Sequence, residues 1–362
     1  MPLKPTPVRI FTALLLVVLA LTACQRKTEH NAELFVFGTI VNISLWGVDE
    51  TLASEAFADL QHQFQDMHRN WHAWEPGRLT RINQAFANGK PATADARMID
   101  MIRRSQQLET LTGARFNVAI GGLIGLWGFH TSDYPIVGPA PTQESIEAWI
   151  KQRPSSHDIR INGLELRSDN PAVQLDFGGI GKGLAVDIAI EYLRSLGINN
   201  AIVNAGGDLR AIGRHGNRPW RIAIRQPGGA PVGYIDVADD EAIFTSGNYT
   251  RFRQDKQLRY PHILDPRTGW PATDIASVTV IADEGVVADA AATAMVVAGL
   301  NSWPEVARAL NLQQVAVIDE QGTVFVTPAM TQRVQFDQGV TTVVVDLNST
   351  AKIQSGRTDR AN

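Results

Sequence analysis

The chain has 362 residues, 44% of them hydrophobic and 19% charged, with a formal net charge of −4. That length accommodates about two to three domains and a sizeable core, and the composition is that of a globular protein. The acidic balance, with Lys and Arg scattered along the chain, argues against a basic face for broad nucleic-acid binding, so no nucleic acid is expected among its partners.

Lys4 and Arg9 precede an apolar run over residues 10–21 that ends in Leu21-Thr22-Ala23-Cys24. The run is too short for a spanning helix and has the build of a secretory signal. Cys24 is the chain's one cysteine, and it stands where a bacterial lipobox places the lipidated residue. Residues 1–24 are therefore expected to be a lipoprotein signal, with Cys24 diacylated and the mature chain tethered to a membrane of the cell envelope, facing the periplasm. Without a partner thiol there is no disulfide. Residues 25–32 form a polar tether on this reading.

Residues 33–46 alternate around Gly38 as a strand pair does. Apolar residues at three- and four-residue spacing predict helices over 51–70 and 98–111, the second capped by Gly113. Thr142 can cap a short helix through residue 151. Short β-branched or aromatic runs at 173–177, 201–204, 220–225, 242–244 and 277–282 predict strands, and helices are expected over 180–196 and 285–300. Residues 315–318 and 323–326 make a hairpin, 341–346 a last strand, and the chain from residue 347 a polar tail. With no repeat or linker between residues 33 and 346, that stretch is expected to be one α+β unit, mixed and largely antiparallel.

Several segments carry chemistry. Leu175 to Asp187 runs from a strand into a helix through Gly178, Gly179, Gly181, Lys182 and Gly183. Glycine backbone and a helix N-terminus suit a pyrophosphate, although the spacing is neither a Walker A loop nor a dinucleotide fingerprint. The alternative is a tight helix start that needs glycine for packing. Asp187 is either a buried polar anchor or a ligand for a nucleotide sugar. Asn204-Ala205-Gly206-Gly207-Asp208 ends a buried strand in a turn that admits positive φ, and next to the first glycine segment it would complete a nucleotide cleft. Thr245-Ser246-Gly247 and the loop from His262 to Asp265 and Gly269 bring hydroxyls, an imidazole and a carboxylate together, as active-site loops do; the competing reading has His262 and Asp265 only satisfying each other. Asp289 and Thr293 lie four residues apart on a helix of small residues, so their oxygens share one face. An incomplete set of hard oxygen ligands is how Mg²⁺ is held. The histidines at 62, 68, 72, 130, 157 and 215 show no metal-ligand spacing. Trp71 and Trp74 either stack on a ligand ring or fill the core.

Taken in order, residues 37–39, 79–83, 116–129, 176–187, 204–208, 245–249, 262–269 and 289–293 resemble the ApbE family of FAD:protein FMN transferases over nearly the whole mature chain. The resemblance implies two lobes with FAD in the cleft between them. It places Mg²⁺ on Asp289, Thr293 and the backbone carbonyl of Gly181, where relatives often have alanine. FAD would lie against Gly178, Gly179, Gly181, Lys182, Asp187, Gly206, Gly207, Asp208, Thr245, Ser246 and Gly247. His262 falls near the reacting phosphate, with Asp265 as its loop partner. The implied reaction is Mg²⁺-dependent transfer of FMN from FAD to a threonine or serine of an acceptor flavoprotein, a subunit of a membrane electron-transport complex, with release of AMP. Relatives often carry Ser-Thr-Tyr near residues 71–73, where this chain has Trp71-His72-Ala73-Trp74. Two other functions compete: a Mg²⁺-dependent FAD pyrophosphatase yielding FMN and AMP, which keeps the site, and a flavin-binding lipoprotein without chemistry, to which His262, Asp289 and Thr293 would be superfluous.

Overall fold

Alternation around Phe37-Gly38 produces the first hairpin, in which β1 (Glu29–Val36) pairs antiparallel with β2 (Thr39–Trp46). The two residues between the strands both take positive φ, 57° at Phe37 and 66° at Gly38, the turn geometry whose twist matches the strands it joins. The computed structural model describes residues 29–226, 228, 230–237 and 239–349. The expected signal, with Cys24, and most of the expected polar tail lie outside the described residues. Residues 29–32, expected in the tether, already belong to β1 and pair with residues 43–46, because the hydrophobic alternation of β2 continues opposite them.

The chain continues through α1 (Glu50–Trp71), α2 (Arg78–Ala87), β3 (Ala92–Thr93), α3 (Ala96–Leu111), α4 (Gly121–Leu126), β4 (Ile136–Val137), α5 (Gln143–Ile150), β5 (Ile159–Asn162) and β6 (Glu165–Ser168). Then follow α6 (Gly181–Ser195), β7 (Ala201–Ala205), β8 (Asp208–Ile212), β9 (Arg221–Arg225), β10 (Pro231–Asp236), β11 (Glu241–Gly247), β12 (Phe252–Asp255) and β13 (Leu258–Pro261). The last third holds β14 (Ile275–Ala282), α7 (Gly285–Ala298), α8 (Trp303–Ala309), β15 (Gln314–Asp319), β16 (Val324–Val326), α9 (Pro328–Thr331), β17 (Val334–Phe336) and β18 (Thr342–Val344). Side-chain caps start the early helices: Asp49 accepts from Leu52 N, Asp95 from Met98 N and Thr142 from Ser145 N, each satisfying an N–H the helix leaves orphaned.

Nine strands form one sheet in the order β1-β2-β7-β8-β11-β14-β15-β16-β18, antiparallel except where β18 joins β16. The mixed, largely antiparallel α+β architecture expected from the sequence is therefore found. Strand periodicity of two decides what each face holds. Ala242, Phe244, Val278 and Val280 turn toward the core that contains α6 and α7. Ile243, Ile281, Ala316 and Ile318 turn the other way, onto Ile224, Val232 and Ile235 of a three-stranded sheet ordered β17-β10-β9. A second three-stranded sheet, β13-β12-β4, adjoins a small core around Trp127, Trp149 and Leu264.

The expected strand at 173–177 is extended but joins no ladder. Gln174 makes a single parallel bridge to Ile120, and the partner chain then turns into α4. The Asn83 side chain takes over, donating to Leu175 O at 2.9 Å and accepting from Leu175 N at 2.7 Å. That clamp sets the level at which the glycine segment begins.

Candidate active site

The glycine segment leads into α6 through close contacts that a side chain would block. Asp176 accepts from Gly178 N at 2.8 Å, and Gly181 N donates to Phe177 O at 2.7 Å. A Cβ on Gly179 would come within 3.3 Å of Thr293 Oγ1, and one on Gly183 within 2.3 Å of Gly285 O. Glycine at these points lets α6 and α7 meet backbone to backbone. Gly183 N then donates to Asp289 Oδ2 at 2.9 Å, tying the two helices at the site. Gly178 and Gly207 spend their N–H groups inside the protein, Gly207 on Asn204 Oδ1 at 2.7 Å. They offer a ligand unobstructed approach more than hydrogen-bond donors.

Along the helix-facing row of β11, Ala242 and Phe244 are followed by Ser246, whose Oγ lies 3.0 Å from Thr293 Oγ1. Apolar packing thus gives way to hydroxyls at the strand's end, opposite a point one turn past Asp289. Asp289 is only 3% exposed. Burial holds its carboxyl above the usual carboxylate range, against the pull of the Lys182 ammonium and the Gly183 N–H. A buried carboxylate is costly without a cation. The carboxylate, the Thr293 hydroxyl and the nearby Ser246 hydroxyl are the hard oxygens that suit Mg²⁺, so the residues present fit that ion. Gly181 is the first residue of α6, and a Cβ there would meet only Phe177 Cβ at 3.7 Å and Trp71 at 3.9 Å. Alanine would fit, in keeping with a role carried by backbone alone.

The turn from Asn204 to Asp208 closes the other side. Gly206 has φ 70°, and a Cβ on it would strike Thr39 Oγ1 at 2.3 Å, so this turn packs on the Phe37-Gly38-Thr39 turn. Buried Asp208 accepts from Lys182 Nζ and, at 2.9 Å, from Thr245 N. Burial pushes the Lys182 ammonium down, while Asp289 supports it. Thr245 turns its hydroxyl to Thr279, 2.9 Å away. Gly247 ends β11 against the Tyr249 ring, 2.6 Å from where its Cβ would sit. Lys182, Asp208, Thr245, Ser246, Thr293, Asp289 and Gly183 are thus joined around one spot.

His262 follows β13, and its backbone N donates to Arg251 O at 3.1 Å. Its ring is partly buried, and Nδ1 has no hydrogen-bond partner among the described residues. Burial, with the Arg251 and Lys182 charges beside it, pushes its pKa down to about 4. Asp265 does not reach His262. Its carboxylate takes Arg267 through Oδ1 at 2.9 Å and Oδ2 at 2.7 Å, because the Pro266 turn puts that guanidinium closer than the imidazole. Asp187 is placed as a buried anchor, both of its oxygens engaged within the fold. It accepts from Gly285 N at 2.8 Å, Val286 N at 2.9 Å and Arg210 Nη1 at 2.8 Å, capping α7.

Other features were not legible as site residues. His68 in the last turn of α1 and His72 at its C-cap, with Glu75, bring potential ligand atoms within 4.8 Å of one another, so a metal-ligand spacing is present after all in the four-residue step from one histidine to the next. His72 Nδ1 already accepts from Glu75 N at 3.1 Å. Trp71 is buried in the main core, whereas Trp74 is 39% exposed and stacks on His130 at 5.1 Å. His130 faces Asp176 at 3.4 Å.

With this geometry in view, the ApbE family model matches residues 37–318. The chain belongs to the ApbE family. It is 39% identical to an FAD:protein FMN transferase of Rhodobacter capsulatus over 84% of this chain, and spans 58% of that relative's length. An FAD:protein FMN transferase of Vibrio cholerae is 33% identical over 66% of this chain and 72% of its own. Among solved structures, the ApbE protein of Thermotoga maritima superposes with a TM-score of 0.76 at 26% identity, covering 84% of this chain and 99% of that one. The flavin transferase ApbE of Vibrio cholerae superposes with a TM-score of 0.74 at 28% identity, over 85% and 99% of the two chains. The family match begins at the Phe37 turn and runs through every segment of this ApbE site, from the glycine turns to Thr293.

Proposed function

We propose that this ApbE chain is an FAD:protein FMN transferase, which moves FMN from FAD to a threonine or serine hydroxyl of an acceptor flavoprotein and releases AMP. The observation that carries the reading is the convergence of three bonded sets, Lys182 and Thr245 on Asp208, Ser246 on Thr293 and Gly183 on Asp289, with glycine backbone on two sides and a low-pKa imidazole at His262. The names of the relatives support it.

Asp289, Thr293 and the Gly181 carbonyl would hold Mg²⁺, which when bound supplies positive charge against the diphosphate. The protein's own groups do the rest. Lys182, oriented by Asp208, faces the anion, and Ser246 orients the Thr293 hydroxyl. His262 is neutral at pH 7 and accepts the proton of the acceptor hydroxyl. The hydroxyl oxygen bonds to the FMN-side phosphorus, the bond from that phosphorus to the bridging oxygen breaks, and AMP departs with the electron pair. Trp74, exposed at the end of the 71–74 segment, is the ring offered to a flavin or adenine.

The lipobox at Cys24 supports a membrane-tethered chain facing the periplasm, with subunits of membrane electron-transport complexes as acceptors. Labelled fatty acid incorporated by the wild type and equally by Cys24→Ser would rule the anchor out. The activity is tested by mixing the chain, FAD, Mg²⁺ and an acceptor flavoprotein, then denaturing the mixture. Flavin fluorescence should stay with the acceptor. FMN and AMP in solution with unlabelled acceptor would identify a pyrophosphatase, and intact FAD would identify a flavin carrier.

A further inference from the structure

The β12–β13 hairpin places a second cation beside His262. Phe252 pairs with Pro261, and one step beyond the ladder His262 N donates to Arg251 O at 3.1 Å. Residues directly opposite in an antiparallel pair project from the same face. The guanidinium and the imidazole therefore leave the hairpin together, an arrangement that disfavours folding whenever both are charged.

Arg251 is not neutralised within the fold. Among the described residues no carboxylate comes within ion-pair distance of it, and whereas Arg253 and Arg259 of the same hairpin spend their guanidiniums on the carbonyls of Trp127, Pro139 and Tyr249, Arg251 meets only a ring. Its guanidinium lies 5.8 Å from the centre of the Tyr134 ring, and Nη2 is 3.6 Å from where a Cβ on Gly38 would sit. Gly38 belongs to the turn that packs, through Thr39, on the Gly206 turn. The guanidinium thus stretches from the His262 hairpin toward the glycine turns that border Lys182. Its charge helps to push down His262, so the hairpin end and the nearby Lys182 make a cationic neighbourhood that gains from an anion.

We propose that Arg251 is a phosphate-binding residue of this site, its guanidinium taking the FAD diphosphate on the His262 side. This rests on the transferase reading only in the identity of the ligand. A guanidinium presents paired N–H groups that match two phosphate oxygens, which an ammonium does not.

Quenching of flavin fluorescence measures affinity in the wild type, Arg251→Ala and Arg251→Lys, with FAD and with riboflavin, which lacks phosphate. Arg251→Ala should weaken FAD binding roughly 10- to 100-fold, the range of a charge-assisted hydrogen-bond pair. Arg251→Lys should recover part of the loss, free guanidinium ion should recover part of the loss in Arg251→Ala, and riboflavin affinity should not change. Unchanged FAD affinity in Arg251→Ala, or equal loss for FAD and riboflavin, would overturn the assignment and leave Arg251 as a brace for Tyr134. Wild-type protein that binds FAD yet transfers no FMN would sink the transferase reading alone, because the Arg251 result is read from binding.

Discussion

Alanine in place of glycine at two positions on the same turn should have opposite consequences. A Cβ on Gly183 would lie 2.3 Å from Gly285 O and 2.8 Å from Val286 Cα, whereas one on Gly181 meets nothing closer than 3.7 Å. Carbon contacts settle at about 3.5–4.0 Å, so Gly183→Ala must drive α6 from α7 by about 1 Å. Neither helix yields easily, because Asp187 of α6 holds both Gly285 N and Val286 N. The displacement stretches the 2.9 Å bond from Gly183 N to Asp289 and shifts Asp289 relative to Lys182. Overpacking of this kind costs about 1–3 kcal/mol, and misplacing a reacting group by about 1 Å costs on the order of 10²-fold in rate. Calorimetry and single-turnover FMN transfer at saturating FAD should therefore show Gly183→Ala melting lower and reacting roughly 10²-fold more slowly. Gly181→Ala should melt no lower than wild type, since alanine is the better helix former, and should keep its rate within about threefold of wild type, well short of the misplacement penalty. A dead Gly181→Ala would show that more than its carbonyl is needed, and a wild-type-like Gly183→Ala would refute the packing argument.

Asp187→Ala should cost about 3 kcal/mol, the low end for breaking a buried pair because Arg210 retains Asp240 at 2.9 Å, which lowers Tm by about 6–12 °C; loss of FAD affinity without loss of stability would make Asp187 a ligand instead. Asp289→Ala should lose several kcal/mol of transition-state stabilisation and should no longer respond to chelator, and wild-type activity undiminished by chelator would remove the metal from the mechanism. For His262 the sign follows from burial: a pKa lowered from 6.5 to about 4 keeps the ring neutral above that pH, so kcat/KM should hold level from neutrality down and fall only as pH drops through about 4. His262→Ala should bind FAD normally while transfer falls roughly 10²–10⁴-fold, and a near-normal rate at saturation would exclude the base.

Residue type and spacing disclosed the helices that carry the site and the alternation of the long sheet, because those elements bury one face and write that face into the sequence. The strands missed are those with little to bury. β12 reads Phe252-Arg253-Gln254-Asp255 with every position only partly covered, and it is a strand because β13 and β4 pair with it on either side. The 173–177 run failed the other way: its apolar side chains are buried, yet its backbone is bonded by Asn83 and a bridge, which no periodicity encodes. Within the site, Asp289 and Thr293 were legible because helical spacing alone puts two oxygens on one face. The carboxylates at 187 and 265 were not, because their roles depend on which donor arrives first. Two N–H groups at the start of α7 claim Asp187 from 98 and 99 positions along the chain, and Arg267 claims Asp265 from two.

The same logic governs the ionisable groups that meet no opposite charge inside the fold. Buried Asp289, half-buried His262 and exposed Arg251 make no salt bridge among the described residues. A buried carboxylate and a suppressed imidazole would be expensive if the cleft served only to stabilise the fold. Both costs fall together if the missing partners are a divalent cation beside Asp289 and a diphosphate between Lys182 and Arg251, because each new charge faces its opposite. Binding of the two should therefore be mutually reinforcing: Mg²⁺ should tighten FAD, and FAD should tighten Mg²⁺ by the same factor, as linkage requires. Titrating each in the presence and absence of the other measures that factor. A factor of one would mean that the two sites do not share a field, and that the frustrated charges of this cleft answer to a different ligand.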